Sequence, residues 1–134
     1  MTAEIIYEGN LRTKAIHLRS GTAITTDAPI DNNGKGQAFS PTDTVSSALA
    51  SCLLTIMGIT AASKSWDITG SKAKVNKIMA SEPRRIACLE ILIEMPAALD
   101  QKARSMLERV ARNCPVAKSL HPDLEQKLEF IYNQ

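Results

Sequence analysis

Apolar and polar positions alternate along this chain with two periods, and the period changes mark out the elements. Val45, Leu49, Cys52, Ile56 and Ile59 recur at spacings of four, three, four and three, which places them on one face of a helix with Cys52 inside its apolar stripe. Ser40-Pro41-Thr42-Asp43 opens that helix with an N-cap, a proline at the first helical position and an acid at the third. The helix is expected to run to about Lys64, and Gly58 is either a weak point in it or a point of close packing. From Trp66 to Met95 the period becomes two. Ile68 to Met79 and Arg85 to Met95 read as strands joined through Ser81-Glu82-Pro83-Arg84. In the second strand Ile86, Cys88, Glu90 and Leu92 face one way, and Ala87, Leu89, Ile91 and Ile93 the other.

Helical spacing then returns from Ala97 to Arg112, with Leu99, Ala103, Met106, Leu107 and Val110 as the stripe. Asn113-Cys114-Pro115 breaks it, Pro115 opens a short turn through Leu120, and Pro122 ends that turn. Lys127 to Tyr132 alternates as a last strand. Before the long helix, Glu4–Glu8, Thr13–Arg19 and Thr22–Thr26 read as strands, and 27–36, rich in Pro, Asp, Asn and Gly, as a loop. The order is βββ-α-ββ-α-β, an α+β domain with neither repeat nor linker, expected as one domain over residues 1–134.

Sixteen basic against fourteen acidic residues leave a formal charge of +2, too mild and too scattered to imply a nucleic-acid partner. Lys72, Lys74 and Lys77 form the nearest approach to a basic patch and read as a solvated strand face. The uncharged run Val45 to Ala62 just reaches the length of a membrane span, but serines, threonines and Gly58 dilute it. A helix buried on most sides of a protein that does not enter the membrane is the expectation. Such a helix is apolar nearly all round and hard to cover in one small chain, which points to a homodimer. The start, MTAEIIYEG, has neither a charged leader nor a continuous apolar stretch, so a reducing, cytoplasmic setting is expected.

The chain has three cysteines, an odd number that a closed disulfide framework does not use. No CxxC occurs, and His17 and His121 lie far from any paired ligand, so no metal is expected. The two histidines remain open as bases or as ordinary surface groups. A thiol reacts as thiolate. Cys114 precedes Pro115 at a helical turn, where unpaired backbone N–H groups favour an anion. Cys52, read from its helix alone, is a core thiol unless a cation reaches it from elsewhere.

The run Gly36-Gln-Ala-Phe-Ser-Pro-Thr-Asp-Thr-Val-Ser-Ser-Ala-Leu-Ala-Ser-Cys52 resembles the helix signature of the OsmC/Ohr family, and Asn113-Cys114-Pro115-Val116 resembles its second-cysteine motif. With the element order, the resemblance covers essentially the whole chain. It implies an intertwined homodimer with two long helices packed on antiparallel sheet and cysteine pairs in pockets at the subunit interface. It also implies thiol-dependent reduction of organic hydroperoxides: Cys52 attacks the peroxide, Cys114 resolves the sulfenic acid as a disulfide, and an external dithiol takes the place of a cofactor. In the family's peroxidases a glutamate and an early-strand arginine hold the thiolate. Here the glutamate's position is Thr42, with Asp43 beside it as substitute or as capping residue. Arg12 matches the arginine, and Arg19 is the runner-up. The missing glutamate resembles the less characterised OsmC-like branch. It keeps a second reading open, a non-enzymatic protein that binds a small apolar or sulfur-containing ligand or senses redox state.

Overall fold

The computed structural model describes residues 1–134. The elements are β1 (Ala3–Gly9), β2 (Arg12–His17), β3 (Ala23–Asp27), a 3-10 turn (Ile30–Asn32), α1 (Pro41–Ser63), β4 (Lys72–Ala80), β5 (Arg85–Met95), α2 (Gln101–Ala111), α3 (Pro115–Ser119) and β6 (Glu125–Tyr132). The α+β order is the expected one. The chain divides into two compact units, Met1–Val45 and Ser46–Gln134, the boundary falling inside α1.

The first unit is an antiparallel sheet in the order β1-β2-β3. Asn10 and Leu11 turn the chain between β1 and β2 with φ of 52° and 62°. Both are left-handed, as a tight hairpin turn demands, and Leu11 is an unusual residue to adopt that conformation. The register then sets Arg12 opposite Asp27 and lines up Ile5, Ala15 and Ile24 in one row across the sheet. After β3 the loop folds back on itself so closely that a Cβ on Gly34 would lie 1.6 Å from the carbonyl oxygen of Ala28. Only glycine fits there.

The second unit contains the core. Leu49, Leu53, Met57 and Ala61 of α1, Leu89, Ile91, Ile93 and Met95 of β5, Ala103, Leu107 and Ala111 of α2, and Cys114 form one buried cluster. Burying an aliphatic side chain of this size is worth about 1.5–3 kcal/mol, which is what holds these helices to the sheet. The buried face of α1 is Ser46, Leu49, Ala50, Leu53, Met57 and Ala61. It is turned from the expected stripe: Ile59 is exposed, and Cys52 lies half-buried at the edge of the face rather than within it. Gly58 has no atom close to where its Cβ would be, so it is a weak point and not a point of close packing.

Three further details differ from the periodicity. β4 begins at Lys72 rather than Ile68, because a turn through Thr69 and Gly70 intervenes. The helix α2 begins at Gln101 because Asp100 caps it, its side chain accepting from the Ala103 N–H at 2.8 Å. The second sheet, ordered β4-β5-β6, is mixed: β6 runs parallel to β5, whereas a wholly antiparallel sheet was expected. The α2–α3 crossover carries the chain back to start β6 at the same end as β5.

Candidate functional site

Cys114 ends the loop after α2. Its backbone N–H returns to the Ala111 carbonyl at 3.2 Å, and its extended φ and ψ of −66° and 151° make it the N-cap of α3. Pro115 at the first helical position needs no hydrogen bond there. The Cys114 Sγ accepts from the Ala117 N–H at 3.3 Å, one of the donors that a helix start leaves without an intrahelical partner. The same side chain lies near enough to Cys52 for that thiol to act on it. Two residues far apart in sequence, one on α1 and one capping α3, thus bring their sulfurs together within the second unit.

The two thiols differ in setting. Cys114 is 0 % exposed, whereas Cys52 is half-buried. Burial pushes the Cys114 thiol above its ordinary value, and the nearness of Cys52 adds to that; the backbone N–H groups of Ala117 and Val116 work the other way. Burial therefore favours a neutral Cys114 thiol, poor as a first nucleophile, and Cys52 is the less buried of the two. The third cysteine, Cys88, is buried in β5, away from its Leu89–Met95 core face. Burial first, then the charge of Glu125, raises its thiol, and nothing marks it as reactive.

The other two expected site residues lie in the first unit. Asp43 closes a capping box with Ser40: Oδ2 accepts from the Ser40 N–H at 2.9 Å, and the Ser40 Oγ accepts from the Asp43 N–H at 3.1 Å. Thr42 stands in the same turn, its Oγ1 3.2 Å from the Ser40 Oγ. The Arg12 guanidinium is forked onto the Asp27 carboxylate, with Nε–Oδ1 at 2.7 Å and Nη2–Oδ2 at 2.9 Å. The Gln37 N–H donates to the same carboxylate at 3.1 Å. Asp27 was missed in the sequence, where it reads as the first loop residue, although its partnership follows once β2 and β3 are paired. The Arg12 hydrogen bond is the main reason the Asp27 carboxyl stays below its usual range, against the opposing effect of burial. His17 and His121 are exposed; the His17 Nδ1 lies 2.6 Å from the Ser20 Oγ and the His121 Nδ1 3.8 Å from the Asp123 carboxylate. No group of three or more His, Cys, Asp or Glu side chains is placed to hold a metal ion.

A two-sheet α+β chain with a pair of adjoining thiols, one on the long helix and one capping a Cys-Pro turn, defines a class of dithiol proteins. The family profile described as OsmC-like protein matches residues 34–129. The chain belongs to the OsmC-like family. Among solved structures, a candidate osmotic stress induced and detoxification response protein from Psychrobacter arcticus 273-4 is 50% identical, with a TM-score of 0.95 over 98% of this chain and 96% of that one. An OsmC-like protein from Mycoplasma pneumoniae, 17% identical, superposes with a TM-score of 0.82 over 98% and 96% of the two chains. The organic hydroperoxide resistance protein OhrB of Bacillus subtilis, also 17% identical, does so with 0.72 over 98% of each. These last two share the fold. No curated protein sequence matches the chain.

Proposed function

We propose that this protein is a thiol peroxidase that reduces organic hydroperoxides at the expense of an external dithiol. The observation that carries the reading is the adjoining pair of Cys52 and Cys114, one partly exposed and the other fully buried. The Cys52 thiolate attacks the distal peroxide oxygen, the O–O bond breaks, and the alkoxide leaves as alcohol after taking a proton. Cys52 becomes a sulfenic acid. Cys114 gives up its proton and displaces the hydroxyl as water, closing a disulfide before further oxidation occurs. A dithiol then returns both sulfurs to thiols and is itself oxidised to a disulfide. That some members of the family are named organic hydroperoxide resistance proteins supports the same substrate class.

The working form in this reading is a homodimer in the reducing cytoplasm. The row Ile5–Ala15–Ile24 supports the dimer, because Ile5 and Ile24, with Tyr7 on the same face of the sheet, are largely exposed in a single chain. Arg12 is proposed as the catalytic cation, and release from Asp27 would be the step that frees it. Asp43 has the weaker claim, since its carboxylate already serves the helix start.

The engagement of Arg12 by Asp27, with Thr42 where the peroxidases carry glutamate, favours a second reading: a pocket that binds a small apolar or sulfur-containing ligand, its thiols sensing redox state or idle. Turnover separates the two. With dihydrolipoamide as reductant, cumene hydroperoxide should be consumed faster than hydrogen peroxide, and Cys52→Ser should consume neither. Equal rates for parent and Cys52→Ser would end the peroxidase reading.

A further inference from the structure

We infer that once Cys52 and Cys114 are joined, an incoming thiol attacks the Cys52 sulfur and Cys114 is the sulfur that leaves. This rests on the redox reading above and adds the direction in which the disulfide opens.

Thiol–disulfide exchange proceeds by attack on one sulfur with departure of the other, and the outcome follows access and the stability of the departing thiolate. Access separates the two sulfurs here. Cys114 is 0 % exposed and belongs to the buried cluster with Leu107 and Ala111, so an approach to its far side would pass through packed side chains. Cys52 lies at the edge of the buried face of α1. Leaving-group stability works against this direction, because burial raises the Cys114 thiol, and the backbone donors beside it offset that only in part; access therefore decides. The Ala117 N–H already points at the Cys114 Sγ from 3.3 Å, and the Val116 N–H assists it. These donors need no rearrangement to receive a thiolate.

The exchange balances as follows. The reductant thiolate forms an S–S bond to Cys52 while the Cys52–Cys114 bond breaks and its electron pair goes to Cys114. The second thiol of the reductant loses its proton to the Cys114 thiolate. It then attacks the reductant sulfur of the mixed disulfide, releasing the Cys52 thiolate and a cyclic disulfide. Burial keeps the reprotonated Cys114 neutral, so it does not return to attack the mixed disulfide.

The test begins with diamide, which forms the disulfide without any peroxide. The oxidised protein is then mixed briefly with glutathione, a monothiol that cannot complete the second step, quenched in acid and denaturant with N-ethylmaleimide, and mapped by peptide mass. Glutathione on Cys52 with maleimide on Cys114 is the expected result; glutathione on Cys114, or an even split, overturns the inference. If diamide yields no Cys52–Cys114 disulfide, the inference and the redox reading fall together. Adducts that map as expected in a protein inert to hydroperoxides support the inference and sink only the peroxidase reading. Ala117→Pro removes the donor without touching an intrahelical bond and should slow glutathione attack about tenfold, the worth of a hydrogen bond to a developing charge. An unchanged rate would overturn the part given to the Ala117 N–H.

Discussion

Arg12 and Asp27 stand opposite each other in the register of β2 and β3, and both nitrogens of the guanidinium fork reach the carboxylate, at 2.7 and 2.9 Å. The bond holds the Asp27 carboxyl below its ordinary value, so the folded state binds fewer protons than the unfolded state in mildly acid solution. The stability it contributes is fully present above the unfolded value, about pH 4, and is lost as pH falls through the lower folded value. Asp67 and Glu94 are depressed in the same sense, so total acid lability does not isolate the pair. A difference does. Asp27→Asn should lower Tm at pH 7, and the gap to the parent should close below about pH 4. A gap independent of pH would show that the Asp27 charge contributes nothing.

The face of α1 offers a second comparison. Leu53 is fully buried in the core cluster and Ile59 is exposed, six residues on along the same helix. Leu53→Ala should cost about 2–5 kcal/mol in denaturant unfolding, the usual range for emptying a packed site. Ile59→Ala should lose far less in the isolated chain. Equal losses would mean that the helix is turned toward the stripe first read from its spacing.

That contrast shows what sequence could and could not convey. β5 was legible to the residue, Arg85–Met95, because a strand with one buried face alternates strictly. The start of α1 was legible because Ser40, Pro41 and Asp43 are a local device that needs no tertiary context. Its face was not, since both Val45–Ile59 and Ser46–Ala61 satisfy helical spacing on a helix apolar nearly all round, and packing against Leu89, Ile91 and Ile93 selects one. The direction of β6 leaves no mark in an alternating pattern. The two cysteines carried motif signals. The turn at Pro115 signalled unpaired N–H groups near Cys114 without saying that Ala117 supplies the one that meets the sulfur. The Asp27 carboxylate carried no signal, being defined by a register that exists only after folding.

The cap at Cys114 can be separated from its chemistry. A serine there still offers an oxygen to the Ala117 N–H, whereas alanine offers nothing. Cys114→Ala should therefore be less stable than Cys114→Ser by about 1 kcal/mol, the typical worth of an N-cap. Both variants should fail to form the disulfide. Equal stability of the two would remove the sulfur from its capping role and leave it a core side chain only.

The proposed homodimer rests on the apolar row of the first sheet. Ile24 is 57% exposed and Ile5 62% exposed, aligned with Ala15 between them, an arrangement that a lone chain would leave to water. A charge in the middle of such a surface is costly to bury without a partner, whereas at a free surface it costs almost nothing. Ile24→Glu should therefore shift the protein from dimer to monomer in light scattering at micromolar concentration, while far-ultraviolet circular dichroism and the Tm of the monomer report an intact fold. The parent running as a monomer under the same conditions would remove the dimer. A dimer untouched by Ile24→Glu would move the interface off this row, and the argument for covering Ile5 and Ile24 would have to find another occupant.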